Sequence, residues 1–235
     1  MRSVSGCLLA VAALCRTAGA VTLGELLPAV AANARFEAPA RADVTIACSP
    51  DCTPPKTHAV FVGRGETLYV EVAGGQRALL APDGITVARD GKPAPAKTGE
   101  AFADTDILLE DLVPFTAASL KMPLVSDDGP AGTVVTAAPA RASAYVLIVS
   151  TIDSAEHVVK RVQLYQDSIG NLTRIVRNGE WADVDGHKRP GEITLENVRK
   201  GITTKLTLAW RAMPDAPPAL FAPDALAKPS GLAAP

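Results

Sequence analysis

The stretch from Ala144 to Trp210 constrains the fold more than any other part of this sequence. It reads as five strands in succession. Ala144–Thr151 (AYVLIVST) and Glu156–Gln166 (EHVVKRVQLYQ) are separated by Ile152-Asp153-Ser154-Ala155. Asp167-Ser168-Ile169-Gly170-Asn171 turns the chain into Leu172–Arg177, and Gly191–Val198 and Gly201–Trp210 follow, joined at Arg199-Lys200-Gly201. β-Branched residues and Leu alternate with Lys, Arg, Gln, Asn and Thr. A period of two marks antiparallel strands, because successive side chains point to opposite faces of a sheet. An apolar face this broad must be covered.

The same pattern extends upstream. Ala42–Cys48, His58–Gly63, Thr67–Ala73, Gln76–Ala81, Gly84–Arg89 and Thr133–Ala138 are further strand candidates, with Gly74-Gly75 and Asp90-Gly91 as tight turns. About ten or eleven strands result. Thr22-Leu23-Gly24-Glu25 fits a capping box that opens a short helix ending near Asn33, weakened by Gly24 and Pro28. A second helix is expected after Thr105-Asp106, with Ile107, Leu108, Leu109, Leu112 and Val113 as its apolar positions and Pro114 as its stop. A third covers Ala117–Leu124, and Pro/Ala-rich Lys92–Gly99 reads as a loop. Such a chain is α+β: a strongly curved antiparallel sheet or barrel with short helices over its open side.

The first twenty residues read as processing signal rather than structure. Met1-Arg2 is a positive start, Gly6–Leu14 a short apolar run, and Ala18-Gly19-Ala20 a cleavage site. Cutting after Ala20 removes two arginines and no acid, taking the net charge from −2 to −4. Residues 21–226 then form one domain, and 227–235 a flexible tail. Export leaves Cys48 and Cys52, in CSPDC. An even pair in an oxidising compartment predicts a disulfide across a short loop. Three intervening residues do not fit a redox C-x-x-C, and zinc would need two further ligands where His58 alone is near. The charge is balanced and no basic stripe is present, so nucleic acid is not an expected partner.

Catalytic patterns are missing. His58, His157 and His187 lack metal-ligand spacing, and no G-x-S-x-G elbow, Walker loop or dinucleotide-binding glycine pattern occurs. Asp104, Asp106, Glu110 and Asp111 form an acidic cluster, with Asp106 and Glu110 on one face of the expected helix. Helix capping accounts for Asp106 without chemistry. No catalytic residue, metal or cofactor is assigned.

Asp104-Thr105-Asp106-Ile107-Leu108-Leu109-Glu110-Asp111-Leu112 resembles the S-D-[FL]-x-x-E-D-L segment of LolA-like outer-membrane lipoprotein-sorting proteins. Thr105 and Leu109 depart from the usual small polar and aromatic residues. Lys160–Tyr165 is similar to that family's K-x-x-x-x-Y strand, Val184–Pro190 to its x-x-G-x-x-x-P turn and Gly201–Thr204 to its G-x-x-T strand start; Pro214 and Leu220-Phe221 resemble its closing segment. The likeness covers Phe102–Leu226, and upstream it is one of pattern only. It implies an unclosed half-barrel with lid helices around an acyl-binding cavity, in a periplasmic carrier of lipids or lipoproteins. An inner-membrane exporter and an outer-membrane acceptor are the implied partners. The alternative on the same fold is a non-enzymatic sensor or exporter-partner module.

Two readings of the apolar faces follow: they fill a core, or some of them line a ligand cavity. Candidate lining residues are Leu68, Val70 and Val72 on one strand and Tyr145, Leu147 and Val149 on another. Val162 and Leu164 join them, as do Leu206, Leu208 and Trp210, beneath a lid of Ile107, Leu108, Leu112, Leu120 and Met122.

Overall fold

The computed structural model describes residues 22–49, 56–129 and 132–233. The expected export signal and Cys52 lie outside them. The helix α1 (Leu23–Ala34) comes first. Six strands follow: β1 (Phe36–Ser49), β2 (Lys56–Gly65), β3 (Thr67–Val72), β4 (Arg77–Ala81), β5 (Gly84–Arg89) and β6 (Lys92–Pro95). After a long connection come β7 (Leu120–Gly129), β8 (Gly132–Pro139), β9 (Leu147–Asp153), β10 (Val158–Tyr165), β11 (Leu172–Val184), β12 (His187–Asn197) and β13 (Ile202–Ala212). All belong to one antiparallel sheet in the order β6-β5-β4-β3-β2-β1-β13-β12-β11-β10-β9-β8-β7. Two meanders are thus sewn together by the pairing of β1 with β13, in register from Ala40↔Ala212 to Ser49↔Thr203. The edges β6 and β7 do not pair, so the expected unclosed half-barrel forms.

Register places the apolar residues of neighbouring strands side by side. Ala42 stands opposite both Phe61 and Trp210, and Val44 opposite Ala59 and Leu208. On the other wing Leu195 meets Val176, Val176 meets Val162, and Val162 meets Ser150. These rows build the concave face and the larger core cluster. Small residues such as Ala40, Ala42, Ala59 and Ala78 alternate there with bulky ones, as the taper of a curved sheet demands.

The topology also explains the lid. Because β6 and β7 are opposite edges, the chain between them must travel from one to the other. It does so across the concave face: Phe102, Ile107, Leu108, Leu109 and Leu112 are buried in the concave core, with Phe102 edge-on to Phe61 at 5.9 Å. The helix α1 covers the other wing. Leu26, Leu27 and Val30 pack on Val135 and Ile152 of β8 and β9, which carries the helix through Pro28 to Ala34.

Four expectations need correction. The lid around Asp106 is not a helix of several turns. Ala103 and Asp104 have φ near +50°, Ala101 bridges Leu108, and only Leu109–Leu112 winds into a 3₁₀ turn. Asp106 accordingly caps nothing; its carboxylate meets Lys200 at 2.6 Å. The Ala117–Leu124 helix is a 3₁₀ turn, Ala117–Ser119, leading into β7. Lys92–Pro95 is the strand β6 rather than loop. Both missed strands contain proline and both are sheet edges, where a missing N–H costs no ladder bond. Around Pro123 the register shifts between Lys121 and Leu124, and Met122 adopts φ +52°, so a bulge absorbs it. The count is therefore thirteen strands rather than ten or eleven.

The fourth concerns the C-terminus. The tail expected to be loose from 227 is held as far as Leu232. Glu71, 4 % exposed, accepts from the amide and hydroxyl of Ser230, and Arg41 donates to the Leu232 carbonyl at 3.0 Å. Upstream, Ala216, Leu220 and Leu226 seal Val60, Val62, Tyr69 and Leu79 on the convex face.

Candidate ligand cavity

Between the concave sheet, α1 and the lid lies a cavity of about 300 Å³. Its floor is Ile148 and Ser150 of β9, Val162 and Leu164 of β10, Val176, Asn178 and Trp181 of β11, Ile193 of β12, and Leu208 and Trp210 of β13. Phe61 and Leu68 close one side. The roof is Val30, Asn33 and Ala34 of α1 together with Leu112, Val113, Pro114, Phe115 and Leu120.

Of the residues expected from sequence, Leu68, Leu112, Leu120, Tyr145, Val162, Leu164, Leu208 and Trp210 line this space. Val70, Val72, Ile107, Leu108 and Leu206 face the same side but are closed into the packed core. Leu147, Val149 and Met122 are placed elsewhere. β9 starts only at Leu147, so Tyr145 precedes the strand and does not set its phase; Ile148 and Ser150 take the cavity face, and Leu147 and Val149 the other. Met122 sits on the edge strand, 76 % exposed.

Sequence reasoning also missed Trp181. It lies in the second half of β11, beyond the predicted end at Arg177. Asp185-Gly186, with φ of 52° and 77°, was the available signal: two successive positive-φ residues make a tight hairpin whose arms extend in both directions.

The acidic cluster anchors the lid. The Asp111 side chain is 0 % exposed. It accepts from the Leu108 amide at 2.8 Å and from the Tyr145 hydroxyl, and Arg174 of β11 lies 3.5 Å away. Arg174 also donates to the Asp106 carbonyl. Burial outweighs these partners and pushes the Asp111 carboxyl up to about 6. Burial and the neighbouring acid push the Tyr145 phenol up as well. Glu110 accepts from Ser143 and from the Ala144 amide at 3.2 Å. Asp106, Glu110 and Asp111 therefore do not share one face; each ties the lid to a different part of the wall.

On the α1 side the polar contacts converge on the helix C-terminus. Asn33 donates to the His157 carbonyl at 3.2 Å and accepts from the Lys188 amide at 3.1 Å. Arg189 donates to the carbonyls of Asn33 and Arg35, both at 2.5 Å, and stacks 4.2 Å from the Phe36 ring. Phe36 packs at 5.6 Å on Trp210 and lies over Gly63, where any Cβ would collide with its ring. Among the described residues no group of three His, Cys, Asp or Glu side chains could hold a metal ion.

A family model described as an uncharacterized protein matches residues 90–228. No curated protein matches the sequence. Solved structures do match in shape. A domain from Vibrio parahaemolyticus, described as outer membrane lipoprotein-sorting, aligns at TM-score 0.64 and 14 % identity, over 87 % of this chain and 97 % of its own. A LolA superfamily protein from Nitrosomonas europaea aligns at 0.68 and 16 %, over 86 % and 98 %. A protein of a domain-of-unknown-function family from Desulfovibrio piger aligns at 0.68 and 12 %, over 85 % and 98 %. The fold is LolA-like.

Proposed function

The chain belongs to the family whose model spans residues 90–228 and has a LolA-like fold, and from that premise we propose that it is a non-enzymatic periplasmic carrier of lipid acyl chains or of lipoproteins bearing them. The observation that carries this reading is the mainly apolar cavity of about 300 Å³ under a non-helical lid. That volume is at the lower end of the roughly 300–1,000 Å³ of small-molecule sites. Hydrocarbon placed there gains about 0.8 kcal/mol per buried CH₂. Affinity can thus come from length alone, without a polar code. Release needs the roof to move, and the lid is held to the walls by buried apolar side chains and a few polar anchors rather than by sheet pairing. Delivery from an inner-membrane exporter to an outer-membrane acceptor completes the proposal.

Uptake of a fluorescent fatty acid, with mass spectrometry of organic extracts, tests it. Wild-type protein is expected to bind the probe and to carry acyl lipid from cells. Val162→Trp, which fills the floor by at least ~2 methylenes, is expected to weaken binding about tenfold with the folded state retained. No uptake and no extracted lipid would overturn the reading.

The export signal and the Cys48–Cys52 disulfide belong to the same proposal, since both fit an oxidising compartment. The mature protein is expected to begin at Val21 and to label with no thiol reagent until reduced; a free thiol in the native protein refutes the pairing.

A further inference from the structure

Arg189 lines the cavity and is 4 % exposed, yet among the described residues it takes part in no ion pair. Its Nε–H is buried without an acceptor. Its two terminal nitrogens serve the carbonyls of Asn33, in the last turn of α1, and of Arg35, which caps that helix; the last turn itself has no basic residue. A helix C-terminus offers roughly half an elementary negative charge. That compensates the guanidinium charge only in part. Burial lowers its pKa only to about 10, so the group remains a cation at neutral pH.

The neighbours supply only part of the missing charge: Asp185, in the turn after β11, acts on Arg189 without forming an ion pair, and the Phe36 ring stacks on it. His157, Lys188 and Asn33 border the same part of the cavity, and none is an acid. The two acids that line the cavity are engaged elsewhere, Glu110 with Ser143 and Ala144, Asp111 with Tyr145 and Arg174. A buried cation with an unused donor, next to room for hydrocarbon, is costly by itself and is completed by an oxyanion on a hydrocarbon tail.

We propose that the cavity selects anionic amphiphiles, the acyl tail lying on the β9–β11 floor and a carboxylate or phosphate head accepting from Arg189. This deepens the lipid half of the carrier reading, rests on it, and disfavours the lipoprotein half. Free fatty acids and phosphate-headed lipids are then favoured over uncharged lipids, whose acyl carboxyl is locked in an ester or amide and which carry no other anion.

Displacement of a neutral, solvatochromic hydrocarbon probe by three ligands of equal chain length tests this: palmitate, palmitoyl lysophosphatidic acid and methyl palmitate. At least one anion is expected to compete at roughly tenfold lower concentration than the ester. Which anion wins distinguishes carboxylate from phosphate. The preference is expected to vanish in Arg189→Met with ester binding intact, and to survive largely in Arg189→Lys. If the role is only to cap α1, both variants lose stability and the anion-to-ester ratio stays at its wild-type value. Should the methionine variant fail to fold, the wild-type ratio and the lysine variant decide. Equal competition by all three ligands in wild type, or a preference that persists without Arg189, overturns the proposal. Failure of the probe itself to bind is a different result: it removes the carrier reading, and this inference with it.

Discussion

Arg174→Met is expected to lower the unfolding free energy by about 3–5 kcal/mol at neutral pH, because it strands the buried Asp111 carboxylate. Denaturant titration measures the loss. The double variant Asp111→Asn/Arg174→Met is expected to recover much of it, since the buried charge is gone while the side-chain oxygen can still accept from the Leu108 amide. A double variant no more stable than the single one would mean that packing, not the ion pair, holds the lid.

The same pair sets a pH dependence. Folding raises the Asp111 pKa from 3.8 to about 6, so the folded state binds the proton more tightly than the unfolded chain. The contribution is fully present below about pH 4 and is lost as pH climbs through 6, an effect of roughly 3 kcal/mol. Asp153 works in the opposite sense: Lys160 lowers its pKa, and its contribution is lost as pH falls. The informative quantity is therefore the difference between wild type and Asp111→Asn across this window. The variant should lack the decline above pH 4; parallel profiles would show that Asp111 does not titrate in it. Because Asp111 anchors the lid, the wild-type lid is expected to be held most firmly in mild acid.

Removal of the chain after Met213 has the second large expected effect. It uncovers Val60, Val62, Tyr69 and Leu79, which Ala216, Leu220 and Leu226 cover. Two leucines buried at about 1.5–3 kcal/mol each put the loss on the order of 5 kcal/mol, comparable to the whole stability of many domains. The truncated protein is expected to aggregate or unfold at room temperature. A milder change, Leu226→Ala, is expected to cost about 2–5 kcal/mol. Tyr69 gives a local readout. Burial pushes its phenol up to about 12, and in a folded protein with the tail displaced it should ionise close to its ordinary value of 10. A Tyr69 that still titrates near 12 without the tail would show that the sheet alone shields it.

The parts of this molecule visible in the amino-acid order are those governed by near neighbours. Alternation marked eleven of the strands, from Ala42–Cys48 to Gly201–Trp210, because side-chain direction follows from one residue to the next. Asp90-Gly91 and Gly74-Gly75 marked turns, because positive φ is tolerated by few residues. An open, curved sheet with an apolar concave face followed from these.

Elsewhere, spatial neighbours decide. Pro93, Pro95 and Pro123 argue against strands until it is known that β6 and β7 are edges, which depends on all the other pairings. The phase of β9 depends on where the strand begins, so Ile148 and not Leu147 reaches the cavity. Lid residues 105–112 carry helical spacing, yet the lid spans the sheet as an extended loop, because Phe102, Ile107 and Leu108 gain more by burial than a few helical bonds return. Asp111 and Arg174, and still more Arg189 and the end of α1 some 154 residues away along the chain, become partners only when the sheet curls. Period and turn chemistry are written locally. Charge compensation and enclosed volume are properties of the closed arrangement, and they exist only once distant segments have met.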